Sequence, residues 1–296
     1  MSAATYEKRQ AARYAHLRRA LWIGLMAAFC GTSSMAAAQD AKKVNPTDPT
    51  NISLNTTAAY EYTRLSEGGG HTSTFSADTW IPLSKQDLFT IELQVVHSDI
   101  TGLPRETGFG DMRMKYFHLI STPNRGILRA WAPAFDMIVP TGDADKGTGG
   151  GSWLLMPNFV LALGFSERVS AYPFFRYVHS IPKSGSSGVF APLLPGIGIP
   201  IPDPDADGLL KFNSGKIRGF NLEIPIAVTL MDSLYFTATP NLFHNFAEGG
   251  STTFTSKFQF TYQPSESIAL AIEANVPISG DSGFDYTVKP TAQIYF

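Results

Sequence analysis

Several classes of protein are excluded by what this chain has little of. Its 296 residues contain one cysteine, Cys30, so no disulfide can form within the chain. Charged residues make up only 16% of it and hydrophobic ones 44%, which rules out a disordered polyelectrolyte. Beyond residue 38 no stretch approaches the roughly 20 uninterrupted apolar residues a membrane helix needs, so a helical membrane protein is ruled out as well. Basic clusters are also missing. The first 38 residues hold five Lys and Arg and one acid, which leaves 18 basic against 24 acidic side chains and a net charge of about −6. That balance argues against nucleic acid as a partner.

What the chain does have is turns and aromatics: 26 Gly, 20 Pro, 21 Phe and 11 Tyr, at a mean hydropathy of −0.03. This composition suits strands and turns better than helices. Residues 1–38 read as a secretory signal to be removed. Lys8, Arg9, Arg13, Arg18 and Arg19 form a basic region, Ala20 to Phe29 an apolar core, and Ala36, Ala37 and Ala38 a small-residue cleavage site before Gln39. The core is too short to span a membrane comfortably as a retained anchor. Phe29, where a small residue belongs, spoils Cys30 as a lipoprotein cysteine. Arg18 and Arg19 stand without the other elements of a twin-arginine signal.

After a polar leader at 39–51, expected to be a mobile periplasmic tail, period-two alternation takes over. In 253–262, Phe254, Phe258, Phe260 and Tyr262 share one face, and Thr253, Thr255, Lys257, Gln259 and Thr261 the other. In 88–98, Phe89, Ile91, Leu93 and Val95 oppose Thr90, Glu92 and Gln94. In 267–276, Ile268, Leu270 and Ile272 oppose Ala269, Ala271 and Glu273. The pattern predicts twelve strands, at 52–65, 71–83, 88–98, 108–121, 127–139, 152–164, 169–180, 215–230, 234–246, 252–263, 267–276 and 285–296. Tight turns at 84–87, 122–126, 165–168, 231–233 and 264–266 alternate with longer connections. Short periplasmic turns and long outer loops are the habit of bacterial outer-membrane barrels. The expectation is therefore an all-β protein: a transmembrane antiparallel β-barrel of about twelve strands over 52–296, with both termini periplasmic, in the outer membrane of a Gram-negative bacterium.

A soluble β-sandwich also alternates. Here the strands match the roughly 9 to 11 residues of a tilted membrane strand and exceed the roughly 5 to 6 usual in soluble sheets. Trp131 and Trp153 fall near opposite strand ends on the apolar parity, where an aromatic girdle lies. The last strand ends on Phe296 after apolar residues at alternate positions, which resembles the signal read by outer-membrane assembly machinery. Against this stand Pro133, Pro157, Pro173, Pro225, Pro240 and Pro290, all inside expected strands. Each removes a ladder donor that lipid cannot replace.

If the apolar faces meet lipid, the opposite faces line a lumen. Glu61, Asp78, Glu92, Asp111, Asp136, Glu223 and Glu273 supply its acids; Arg113, Lys115, Arg176, Lys257 and Lys289 supply its bases. Such charges either pair and fill the barrel or line a wet path. Mixed signs predict no strong ion selectivity. The connection 181–214 is long and proline-rich, with apolar Val189, Phe190, Leu193, Leu194, Ile197, Ile199 and Ile201, and is expected to be a lid or entry site; contact with another protein or with lipopolysaccharide competes. Asp203, Asp205, Asp207 and Gly208 copy the first half of a calcium loop, but Ser214 stands where the bidentate Glu belongs and Pro204 stiffens the turn. Otherwise no cofactor is expected.

Gly108-Phe-Gly-Asp111, followed by Pro140-Thr-Gly-Asp143 and the Gly-rich 147–151, resembles the outer-membrane barrel family associated with the phenol-degradation pathway. The resemblance implies a transporter for small hydrophobic or aromatic compounds. A nucleotide site at the Gly-x-Gly is excluded because no helix follows. The pairs His97-Ser98 and His179-Ser180 could suggest a lipid-modifying enzyme, but strand neighbours point to opposite faces, so no catalytic site is expected. A structural barrel acting through its loops is the other alternative to a channel.

Overall fold

The computed structural model describes residues 45–183, 217–246, 250–280 and 282–296. They form one closed antiparallel sheet of sixteen strand segments. In chain order these are β1 (Asn55–Leu65), β2 (Gly70–Pro82), β3 (Asp87–Ile100), β4 (Glu106–Phe109), β5 (Met112–His118), β6 (Ile120–Arg125), β7 (Leu128–Val139) and β8 (Ser152–Gly164). Then follow β9 (Val169–Ala171), β10 (Phe174–Pro182), β11 (Arg218–Glu223), β12 (Ile226–Met231), β13 (Leu234–Asn245), β14 (Ser251–Ser265), β15 (Ile268–Ser279) and β16 (Phe284–Tyr295). Segments β4 to β6 run end to end, as do β9 with β10 and β11 with β12, so the wall has the twelve staves expected. The sheet closes through β16 on β1, with Asn55 opposite Tyr295 and Arg64 opposite Tyr286.

The alternation decides which way each side chain points. On β3, Leu88, Thr90, Glu92, Val96, Ser98 and Ile100 are buried inside; on β15, Ile268, Leu270 and Ile272 stand out exposed. Phe258, Phe260 and Tyr262 are exposed on the outer face of β14, and Phe260 packs 5.0 Å from Phe236 of the next stave. Trp131 and Trp153 both point outward, near opposite ends of their staves. A closed wall whose outer face is apolar satisfies every stave without water, which is the condition for crossing a bilayer with strands. One end of the barrel carries the short turns, including Ser84 to Asp87 and Phe165 to Val169. The other carries the longer connections, and β1 starts and β16 ends at the short-turn end.

The six strand prolines fall into two groups. Pro133, Pro157, Pro240 and Pro290 keep their places in the ladders, opposite Phe159, Phe135, Ser256 and Ile272, with their rings on the outer face. Pro173 and Pro225 instead interrupt their staves, and the breaks lie level with one another. The N–H of Leu161 donates to Pro173 O at 3.0 Å, that of Tyr172 to Pro225 O at 2.8 Å, and that of Ile224 to Pro240 O at 3.0 Å. The residue before each of the two interrupting prolines thus gives its own N–H to the proline of the next stave. Three adjacent missing donors are gathered into one row and not scattered through the ladder.

Two boundaries differ from expectation. The 122–126 turn tightens, because β6 continues to Arg125 and Arg125 pairs with Leu128. Of the leader expected to be a mobile periplasmic tail, residues 39–44 lie outside the described residues, while 45–53 lie within the lumen at the short-turn end. Paired Asx turns hold them, Thr47 N donating to Asn45 Oδ1 at 3.0 Å and Thr50 N to Asp48 Oδ1 at 2.9 Å.

Candidate functional site

The wall brings most of the sequence-predicted lumen residues into one charged girdle at mid-height. Arg113 on β5 donates to Asp136 on β7 at 2.6 Å. Arg176 on β10 sits 3.8 Å from the same carboxylate and 3.6 Å from Glu223 on β11. Lys257 on β14 closes on Glu223 at 2.6 Å. Base and acid therefore alternate across the inner wall from β5 to β14. The register causes this: these residues all occupy inward parity, so Arg113–Asp136 and Arg176–Glu223 meet between paired staves, while Arg176 reaches Asp136 across β8 and Lys257 reaches Glu223 across β13. Inside a barrel, unpaired charges would be costly, and each of these has an opposite neighbour.

On the far side the pairs are looser. Lys115 lies 3.5 Å from Asp78, and Lys289 lies 3.8 Å from Glu61. Glu92 and Glu273 face the cavity described below, and Glu273 makes no ion pair among the described residues. Asp111 stands apart from all of these, at the long-loop end. The residues 189–201 expected as a lid, the carboxylates of Asp203, Asp205 and Asp207, and the signal at 1–38 lie outside the described residues. Phe296 follows β16 and is exposed.

Sequence reasoning missed three parts of the site. The first is a run of amides woven into the girdle. Asn158 donates to Asp136 at 3.1 Å, Arg176 donates to Asn221 at 2.8 Å, and Asn221 donates to Asn241. All three asparagines fall on inward parity in expected strands, so counting could have found them. The second is Trp80, an aromatic on the polar parity of β2, whose indole N–H donates to Asp78 at 3.2 Å. The third is the leader. Together with β1 to β3, β5 and β14 to β16 it encloses a cavity of about 300 Å3 lined by Trp80, Glu92, Lys115, Glu273, Lys289 and Tyr295. Pro49, Thr50 and Ile52 pack toward Leu88, Leu119, Ala132 and Val160, and Asp48 lies against the Tyr172 hydroxyl.

Apolar side chains also reach the inner wall, and two clusters of them lie on one arc. On the long-loop side of the girdle, Ile138, Leu154, Met156, Val178 and Phe243 form one buried cluster. On the short-turn side, Ala130, Ala162, Tyr172 and Ala227 form another. Gly219 makes the first cluster possible, because a methyl group there would come within 2.6 Å of the Phe243 ring. The two histidine–serine pairs split as strand geometry requires. His97 points outward and bonds Thr107 Oγ1 at 2.8 Å while Ser98 is buried inside. His179 stacks on Tyr177, and Ser180 accepts the Ile217 N–H at 2.7 Å. Among the described residues no group of three His, Cys, Asp or Glu is placed to hold a metal ion.

No family model matches the chain, and no curated protein is similar to it in sequence. Solved structures share the fold. The COG4313 outer membrane channel from Pseudomonas putida F1 superposes with a TM-score of 0.60 at 8% identity, covering 84% of this chain and 99% of that one. The NanC porin superposes with a TM-score of 0.53 at 9% identity, covering 82% of this chain and 100% of that one. The architecture is that of an outer-membrane β-barrel. At these identities the likeness speaks for the fold alone.

Proposed function

We propose that the protein is an outer-membrane channel for small hydrophobic or aromatic solutes. The observation that carries this reading is the apolar arc of the inner wall. Barrel interiors that pass water and ions are polar, whereas here Ile138, Leu154, Met156, Val178 and Phe243 face inward beside the girdle. A cavity of about 300 Å3 beyond it is at the lower end of small-molecule sites, which run from roughly 300 to 1,000 Å3. The leader narrows the short-turn end and would hold the channel to small solutes. The folds of the two superposed structures, one a channel and the other a porin, agree with this reading.

The test is flux through the purified barrel in liposomes. Phenol-sized neutral aromatics should enter faster than sugars of similar mass, and conductance in planar bilayers should be small with little preference for cation or anion. A barrel that passes neither ions nor small solutes would overturn the reading.

A further inference from the structure

The connection from β7 to β8 does not stand out from the barrel. Residues 140–151 fold back onto the inner wall of β3 and β4, and Ala144, Gly147, Thr148, Gly149 and Gly150 are buried. Asp111, itself buried in the gap between β4 and β5, reaches across to them. One of its carboxylate oxygens accepts the Gly142 N–H at 2.9 Å and the other accepts the Gly150 N–H at 2.7 Å. Both ends of the loop are thus tied to one side chain. Thr141 adds a second tie, its hydroxyl donating to Gly110 O at 2.8 Å and accepting the Met112 N–H at 3.0 Å. Asp111 is fixed in turn, because Gln94 donates to its carbonyl at 2.8 Å.

The loop's own chemistry suits this seat. Asp143 O accepts the N–H groups of Thr148 and Gly149 at 3.0 and 3.2 Å, so the loop holds its shape without a partner. Gly147 takes a left-handed φ of 67° where a side chain would come within 2.6 Å of Ser98 Oγ. Only glycine permits the turn and the close approach together. The apolar cluster of Ile138, Leu154, Met156, Val178 and Phe243 begins on β7 and β8, at the base of the loop, and continues onto β10 and β13.

We propose that loop 140–151 is the constriction that sets the size of solute admitted at the long-loop mouth, and that Asp111 is the positioning residue that holds it against the wall. The proposal rests on the channel reading above. It joins into one device the two glycine–aspartate segments, 108–111 and 140–143, which stand 32 residues apart in the sequence. Solute would pass beside the loop's backbone.

The test is D111N, reconstituted after its folding is checked by heat-modifiable gel mobility. Asparagine keeps the shape but can accept only one of the two N–H groups and turns a donor toward the other. Losing one charged hydrogen bond should raise the released fraction of the loop roughly tenfold. That would be read as roughly tenfold faster maleimide labelling of T148C in the D111N background. Swelling rates with larger solutes should rise several-fold. A lock separates loop release from general loosening: a methyl group at Gly108 would sit 3.7 Å from Thr148 Cβ, within disulfide reach. In G108C/T148C/D111N, oxidation should return permeability toward the natural value and reduction should release it again. A folded D111N barrel with natural permeability, or a rise that the oxidised lock leaves in place, would overturn the constriction and spare the channel. If neither the natural chain nor any variant passes solute, the channel reading itself fails and takes the proposal with it.

Discussion

The two sides of the lumen are built from the same alternating strands but from different chemistry. From β14 through β16 to β2, most inward positions carry hydroxyls, amides and charges, among them Thr253, Thr255, Thr261, Asn275, Thr287, Thr63, Thr72 and Thr74, beside Ala59, Leu65 and Ala269. From β7 through β8 and β10 to β12, they carry Ala130, Ala132, Ile138, Leu154, Met156, Val160, Ala162, Val178 and Ala227, and polarity outside the girdle is limited to hydroxyls such as Ser152 and Ser180. An ion pair therefore means different things on the two sides. On the apolar side its members have few alternatives to each other; on the polar side water and hydroxyls can substitute.

The largest difference should appear when one charge is removed from each side. Arg176 is buried to 6% exposure between Asp136, Glu223 and Asn221. R176L leaves two buried carboxylates short of a partner and should cost about 3 to 5 kcal/mol. Lys289, 23% exposed and 3.8 Å from Glu61, faces the cavity, and K289Q should cost about 1 kcal/mol or less. Urea titration of folding into lipid vesicles measures both. Equal costs would mean that the two sides are equally wet and the comparison false.

A smaller effect should separate the two sides by what they carry. Val178 is fully buried in the apolar cluster. V178T puts a hydroxyl among Ile138, Leu154, Met156 and Phe243 and should cost about 1 to 3 kcal/mol in the same titration. The mirror change on the polar side, T72V, should move stability by about 1 kcal/mol or less. If both substitutions act alike, the two sides do not differ in what surrounds a buried hydroxyl.

How much of this could be read beforehand depends on whether the information was local. Strand number and inward parity were legible because a one-residue slip in an alternating strand would turn Phe258 and Lys257 inside out. The resemblance of 108–111 and 140–143 to a transporter family pointed at residues that matter, but nothing in their spacing shows that Asp111 ties the second segment down. That contact is made across the wall and exists only once the barrel closes. The seat of residues 45–53 was not legible for a similar reason. Residues 45–53 have no alternation, and their seat in the lumen depends on Leu88, Leu119, Ala132 and Val160 from distant staves. The amides Asn158, Asn221 and Asn241 sat in plain view on inward positions, but a search for charges passed over them.

The proline row offers the smallest test, and it bears on why the apolar arc is where the staves break. Both interruptions, at Pro173 and Pro225, fall on that arc, and Pro240 borders it. P240A would supply an N–H beside Ile224, whose own N–H already donates to residue 240. A new ladder bond is worth about 0.5 to 1.5 kcal/mol. Losing proline's restriction of the unfolded chain costs about 0.4 to 1 kcal/mol. The two nearly cancel, so stability should change by about 0.5 kcal/mol or less. Amide exchange is the sharper readout, because the new N–H at 240 should be protected if the ladder heals. A loss well beyond that range would mean that the ring at 240 packs for its own sake. The row would then reflect packing on the outer face and not the matching of missing donors.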